Sequence, residues 1–180
     1  MKIGMIGVGL MGKGIATNIL KDKTYQLTFF SHQGNQPTDT LEAAGALATP
    51  TIKETISNAK IIILCVTGAA QVEEILFGPE GILAQGKKGQ IIIDCSTSMP
   101  DKTKAFAARL AEAEITFVDA AMTRTPKEAA AGRLNLIVGA DKPVFDEIYP
   151  LLDLFAENIV HAGDVGAGQA LKLIHNYVSL

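Results

Sequence analysis

Strand-like and helix-like patterns alternate along the whole chain, and this alternation narrows its fold more than any other feature. Strand signals fall at residues 2–6, 26–30, 61–66, 90–94, 116–120, 134–138 and 158–161, with a weaker one at 46–48. Helical patterns lie between them at 11–20, 38–44, 52–57, 70–76, 102–113, 142–154 and 167–178. Repeated strand-helix-strand units build a parallel sheet. The runs Ile61-Ile62-Ile63-Leu64 and Ile91-Ile92-Ile93 are apolar without alternation, as strands covered on both faces should be. The expectation is an α/β fold, a doubly wound and mostly parallel sheet with helices on both faces.

Size and charge agree with one such domain. The chain has 180 residues, 48% of them hydrophobic and only 6% aromatic, enough to bury one core of aliphatic side chains. Its net charge of -3 carries no basic run, which argues against nucleic acid or a membrane surface as partner. No apolar run approaches the roughly 18 residues of a membrane span, and Met1 leads straight into a strand without a signal-peptide pattern, so the cytoplasm is the expected location. Cys65 and Cys95 end apolar runs without a CxxC partner and read as reduced core thiols. No metal-ligating set is assigned.

The first functional motif is Gly7-Val8-Gly9-Leu10-Met11-Gly12, directly after the opening strand and directly before a helix. In a Rossmann-like fold that placement gives each glycine a task. Gly7 permits a tight turn, Gly9 lets a pyrophosphate approach the backbone, and Gly12 lets helix lie close on strand. Free amides at the helix start then face the phosphates. After the second strand the sequence reads Ser31-His32-Gln33-Gly34-Asn35, where an acid would hold the ribose of NAD. That acid is missing, and Ser31 and His32 can donate to a 2′-phosphate, so NADP is the favoured cofactor and NAD the alternative.

Further turns follow strand ends, the edge where ligands collect in an open parallel sheet. Val66-Thr67-Gly68, Ser96-Thr97-Ser98 and Thr123-Arg124-Thr125 offer hydroxyls there, although Ser and Thr in such turns also cap helices. Arg124 suits a clamp for carboxylate, sulfonate or phosphate. Near the end of the chain, Lys172 and Asn176 are four residues apart and share a helix face behind Gly166 and Gly168, which are expected to let the helix start press on a ligand. A lysine beside a nicotinamide ring in a partly dry cleft has its pKa lowered, which suits it to move the hydroxyl proton as hydride leaves carbon. His175 reads as a packing residue, and His161 has no partner visible in sequence.

Taken together, these motifs resemble the β-hydroxyacid dehydrogenase family, which includes 3-hydroxyisobutyrate dehydrogenase and tartronate semialdehyde reductase. The opening glycine motif with Ala16-Thr17-Asn18 resembles its cofactor fingerprint, Asp94-Cys95-Ser96-Thr97 its D-x-S-T motif, and Gly166 through Asn176 its G-x-G-x-x-x-K-x-x-x-N helix. The resemblance implies Lys172 as catalytic lysine with Asn176 as its partner, Ser96 as a substrate contact and Thr97 as a cofactor contact. Gly7, Val8, Gly9, Leu10, Met11, Gly12, Ser31, His32, Val66 and Thr67 would complete the NAD(P) site, and Thr123, Arg124 and Thr125 the substrate site. It implies an NAD(P)-dependent oxidoreductase acting on a small 3-hydroxy acid or the corresponding aldehyde acid.

Departures from the family pattern refine this. Where the family carries D-A-P-V-S-G-G, this chain has Asp119-Ala120-Ala121-Met122-Thr123-Arg124-Thr125, similar to the sulfolactaldehyde-reductase-like branch and suggestive of a compact anionic head. Val66-Thr67 stands where Leu-Pro is usual. By the same resemblance residues 1–165 form the dinucleotide-binding domain and 166–180 begin an interdomain helix. The family's all-helical second domain, which covers the cleft and makes the homo-oligomer contacts of a full-length enzyme, does not follow Leu180. The chain is then either a piece of a reductase, weakly active alone, or a nucleotide-binding module without turnover. Either way Leu171, Ile174 and Val178 are expected to be exposed.

Overall fold

The computed structural model describes residues 1–32 and 37–178. Residues 33–35, expected to help choose the cofactor, and the terminal Leu180 lie outside them. In chain order the elements are β1 (Lys2–Ile6), α1 (Leu10–Ile19), β2 (Gln26–Phe30), α2 (Asp39–Ala43), β3 (Leu47–Thr49), α3 (Ile52–Ile56), β4 (Ile61–Leu64), α4 (Ala69–Phe77) and α5 (Ile82–Gln85). They continue with β5 (Ile91–Asp94), α6 (Pro100–Ala111), β6 (Thr116–Thr123), α7 (Pro126–Ala130), β7 (Leu134–Gly139), α8 (Lys142–Leu152), β8 (Ala156–Gly163) and α9 (Ala167–Val178).

The strands form one sheet in the order β3-β2-β1-β4-β5-β6-β7-β8. The order reverses direction between β1 and β4, the switch point where such sheets open a crevice. Side chains of the central strands sort by parity, as a pleated strand requires. Ile61, Ile63, Ile91 and Ile93 join Ile15, Ile19 and Ile148 on one face. Ile62, Leu64 and Ile92 join Leu76, Phe106 and Leu110 on the other. The double apolar coverage expected of these strands is therefore present, and truncating Ile62, which is fully buried, would cost about 2–5 kcal/mol.

One pairing departs from the strand-helix-strand rule. β7 runs antiparallel to β6, with Asp119 opposite Gly139 and Thr123 opposite Asn135. The intervening residues 124–133 hold only the short α7, less than the crossover of roughly a dozen or more residues that a parallel pair needs. The helices α5 and α7 escaped the periodicity reading because each spans little more than one turn. Among the described residues no helix is long and apolar enough to cross a membrane.

Candidate active site

The glycine turn after β1 has the geometry its sequence implies. Gly7 sits at φ +97°, and a Cβ there would stand 2.2 Å from the Cys65 carbonyl oxygen. A Cβ at Gly12 would meet the Gly7 carbonyl oxygen at 1.9 Å, so β1 and α1 approach only as glycine allows. At Gly9 the same added atom has nothing within 4 Å. Gly9 caps α1 without a side-chain hydrogen bond, and the first turn holds no acid. The first amides of α1 thus lack intrahelical partners and face open space. Val8 is fully buried and packs into the core.

That space is a cleft of about 830 Å³. Gly7, Gly9, Leu10, Met11 and Gly12 form one wall with Phe30 and His32, while Val66, Thr67, Ser96, Thr97 and Lys172 stand on another. Gln71, Glu74 and Ile75 of α4 close the side, and Met122 and Arg124 also reach it. The α4 residues and Met122 were not singled out from sequence. The available signal was the Val66-Thr67-Gly68 turn after β4, which leads directly into α4.

Lys172 reaches the cleft because α9 is held by buried polar groups. The Asp119 carboxylate accepts the Gly166 amide at 2.6 Å and the Gln169 amide at 2.8 Å. The Gln169 side chain donates to the Ser96 carbonyl at 2.8 Å and accepts the Ser98 amide at 3.2 Å. Lys172 Nζ then donates to Thr97 Oγ1 at 2.9 Å. Ser96 Oγ in turn accepts the Val66 amide at 3.0 Å, joining the ends of β4 and β5. Gly166 and Gly168 serve this seating, and neither lines the cleft. A Cβ at Gly168 would lie 2.4 Å from the Ile137 carbonyl oxygen and 2.7 Å from an Asp119 oxygen, and one at Gly166 would meet Lys104.

The charges follow from burial. Desolvation lowers the Lys172 pKa, and the nearby Asp94 carboxylate partly restores it. Asp94 is fully buried. Desolvation pushes its pKa up to about 6, against hydrogen bonds from Ser96, with Asp119 adding to the rise and Lys172 opposing it. One Asp94 oxygen accepts the Ser96 amide at 2.9 Å, while its Oδ2 has no partner among the described residues. Burial also raises Asp119, opposed by the amides it accepts. Cys65, on the cleft wall, is pushed up to about 12 by burial, so it is no nucleophile at neutral pH.

The other expected site residues divide between the cleft and its surroundings. Ser31 is exposed and donates its amide to the Thr49 carbonyl. Its side chain is not among those lining the cleft, whereas His32 is, with its ring 6.0 Å from that of Phe30. Thr123 Oγ1 accepts from Asn135, and Thr125 caps α7 in a reciprocal arrangement with Glu128. Arg124 adopts φ +81° and turns its guanidinium to the Glu157 carboxylate and the Arg133 carbonyl. Asn176 is exposed one turn beyond Lys172. His161, silent in sequence, meets the Ala140 carbonyl at 2.6 Å and stacks on Phe145.

Comparison with known proteins shows the family. The chain is 37% identical over 176 residues to 2-(hydroxymethyl)glutarate dehydrogenase of Eubacterium barkeri, covering 98% of this chain and 58% of that protein. It is 33% identical to 2-hydroxy-3-oxopropionate reductase of Escherichia coli, covering 99% of this chain and 60% of that one. The solved structure of Mycobacterium tuberculosis 3-hydroxyisobutyrate dehydrogenase with L-serine superposes with TM-score 0.88 at 25% identity, over 99% of this chain and 60% of that one. The chain therefore spans about three fifths of the length of these relatives. A family model, the NAD binding domain of 6-phosphogluconate dehydrogenase, matches residues 2–163. By these matches the chain belongs to this family of NAD-binding domains, together with the 3-hydroxyisobutyrate dehydrogenase-like oxidoreductases.

Proposed function

We propose that this chain is the cofactor-binding part of an NAD(P)-dependent oxidoreductase that interconverts a small 3-hydroxy acid and the corresponding aldehyde acid, a 3-hydroxyacid dehydrogenase or reductase. The observation that carries the reading is that Lys172 and the Gly7–Gly12 turn line one cleft. Residues 1–165 are read as the nucleotide-binding domain and 166–180 as the start of an interdomain helix. A bound nicotinamide would supply the hydride. The open space at Gly9 and the uncapped start of α1 fit its diphosphate, with Val66, Thr67 and Thr97 beside it. The absence of an acid after β2 favours NADP over NAD, with His32 on the cleft, and Ser31 beside it in sequence, as the residues that would meet a 2′-phosphate.

Lys172 is the group that gives and takes the hydroxyl proton. Its lowered pKa brings the neutral amine within reach, and its bond to Thr97 Oγ1 holds Nζ at the cleft wall. Asn176 on the same helix face orients the lysine or the substrate oxygen. Ser96 contributes a substrate contact, and Arg124, with Thr123 and Thr125 shaping its turn, receives the anionic head once it exchanges Glu157 for substrate. The whole enzyme is expected to be a homo-oligomer that closes the cleft against water, acting on small anionic hydroxy acids.

Titrating the protein with NADPH and NADH, then assaying small aldehyde acids with carboxylate, sulfonate or phosphate heads on the gene's full product, tests the reading. Binding of NADPH with turnover that depends on Lys172 supports it. Cofactor binding without turnover of any such acid would leave a nucleotide-binding module.

A further inference from the structure

Gln169 is 1% exposed and makes two side-chain bonds, both to the main chain of the turn between β5 and α6. Its Nε2 donates to the Ser96 carbonyl and its Oε1 accepts the Ser98 amide. These two groups flank Thr97, whose hydroxyl receives Lys172 Nζ. Gln169 and Lys172 are three residues apart and share one face of α9. Ser98 Oγ itself is buried without a partner among the described residues, so Gln169 supplies the side-chain contact to that residue.

The backbone of Gln169 is fixed as well. Its amide is held by Asp119, and neighbouring Gly168 seats α9 against β7 at a distance that admits no Cβ. A planar amide bonded at both ends to the main chain of one turn fixes rotation about the helix axis as well as distance, which a single bond would not. We propose that Gln169 is a positioning residue that sets the rotation of α9 so that Lys172 stands over Thr97 in the cleft. The consequence for chemistry rests on the reading of Lys172 given above, whereas the geometric claim does not.

The test is made on the chain itself, labelled at the lysine ε-carbons, with the Lys172 resonance assigned by its loss in Lys172→Arg. Gln169→Met keeps length and apolar volume but removes both bonds. Gln90→Met is the control, because Gln90 is also a buried glutamine bonded to main chain, far from the cleft. Gln169→Met is expected to move the Lys172 titration up to that of exposed lysines, while NADPH affinity stays within about twofold. Gln90→Met is expected to leave the Lys172 titration where it was. An unchanged Lys172 titration in folded Gln169→Met overturns the proposal. Should that variant not fold, exchange of the Ser98 amide proton in the unaltered chain decides: slow exchange supports the bracket and exchange at the rate of an open loop overturns it. Turnover retained by Lys172→Ala would instead sink the functional reading and leave this geometry standing.

Discussion

Strand β5 is latched by a buried glutamine at each end, and the two ends are built differently. At the amino end Gln90 donates to the Ile56 and Ala59 carbonyls at 2.8 and 2.9 Å and accepts the Lys87 amide at 2.7 Å. At the carboxyl end Gln169 makes two such bonds, one donated and one accepted, yet Asp94 Oδ2, Ser98 Oγ and Thr103 Oγ1 are buried there without partners among the described residues. Native proteins satisfy nearly all buried polar groups, so a cluster of exceptions calls for a cause. The amino end is arranged for stability. The carboxyl end, where ligands collect in this architecture, keeps polar atoms and a buried carboxylate beside Lys172 at a cost to stability.

The contrast can be broken most decisively at Lys172. In the full gene product Lys172→Ala should lower kcat by about 10²–10⁴ fold, the range for a lost general acid or base, with cofactor affinity nearly unchanged. A steady-state assay that finds equal kcat returns Lys172 to the scaffold.

Asp94→Asn comes next. The folded pKa of Asp94 is about 6 against an ordinary 3.8, so the folded protein binds the extra proton. Stability therefore falls as pH rises between those values, and the loss persists above them. The shift corresponds to about 3 kcal/mol. Asn keeps the acceptor for the Ser96 amide and removes the charge. Urea unfolding of the variant at pH 8 should show a gain of that order or less, and a flatter stability profile between pH 4 and 6. A destabilised variant would mean that the carboxylate is structural, and the contrast between the two ends would disappear.

Gln90→Met should cost about 1–3 kcal/mol by leaving buried main-chain groups unpaired, with cofactor binding unaffected. Loss of NADPH affinity in that variant would show that the amino end also serves the site. The smallest change in stability is expected at Arg124, whose side chain and that of Glu157 are 29% and 44% exposed. Arg124→Ala should alter stability by less than about 1 kcal/mol, yet raise KM for anionic aldehyde acids more than it weakens cofactor binding. An unchanged KM across such acids would assign Arg124 to its ion pair alone.

Local patterns made much of this legible in sequence. Ile61–Leu64 announced a strand buried on both faces, and the Gly7–Gly12 spacing announced a turn whose steric demands the backbone bears out. The bounds of α9 also followed from periodicity, and the exposure of Leu171, Ile174 and Val178 from the family resemblance. What stayed hidden depends on groups distant in sequence. Asp119 meets α9 across 50 residues, and Arg124 finds Glu157 across 33, pairings that no spacing encodes. Thr125 offered its signal in plain view, a threonine followed by proline and a glutamate three positions on, which is a capping box. Gly166 and Gly168 signalled a close approach, but glycine does not name what approaches, and the protein partners at Ile137, Asp119 and Lys104 stayed hidden.

The central claim is that the glycine turn and Lys172 face one cofactor, and it is tested most directly by titrating NADPH into the labelled chain while following the amides of Gly9 and Gly12 together with the Lys172 ε-carbon. The account predicts that all three resonances move along one binding curve. Glycine amides that shift to saturation while Lys172 stays fixed would contradict it.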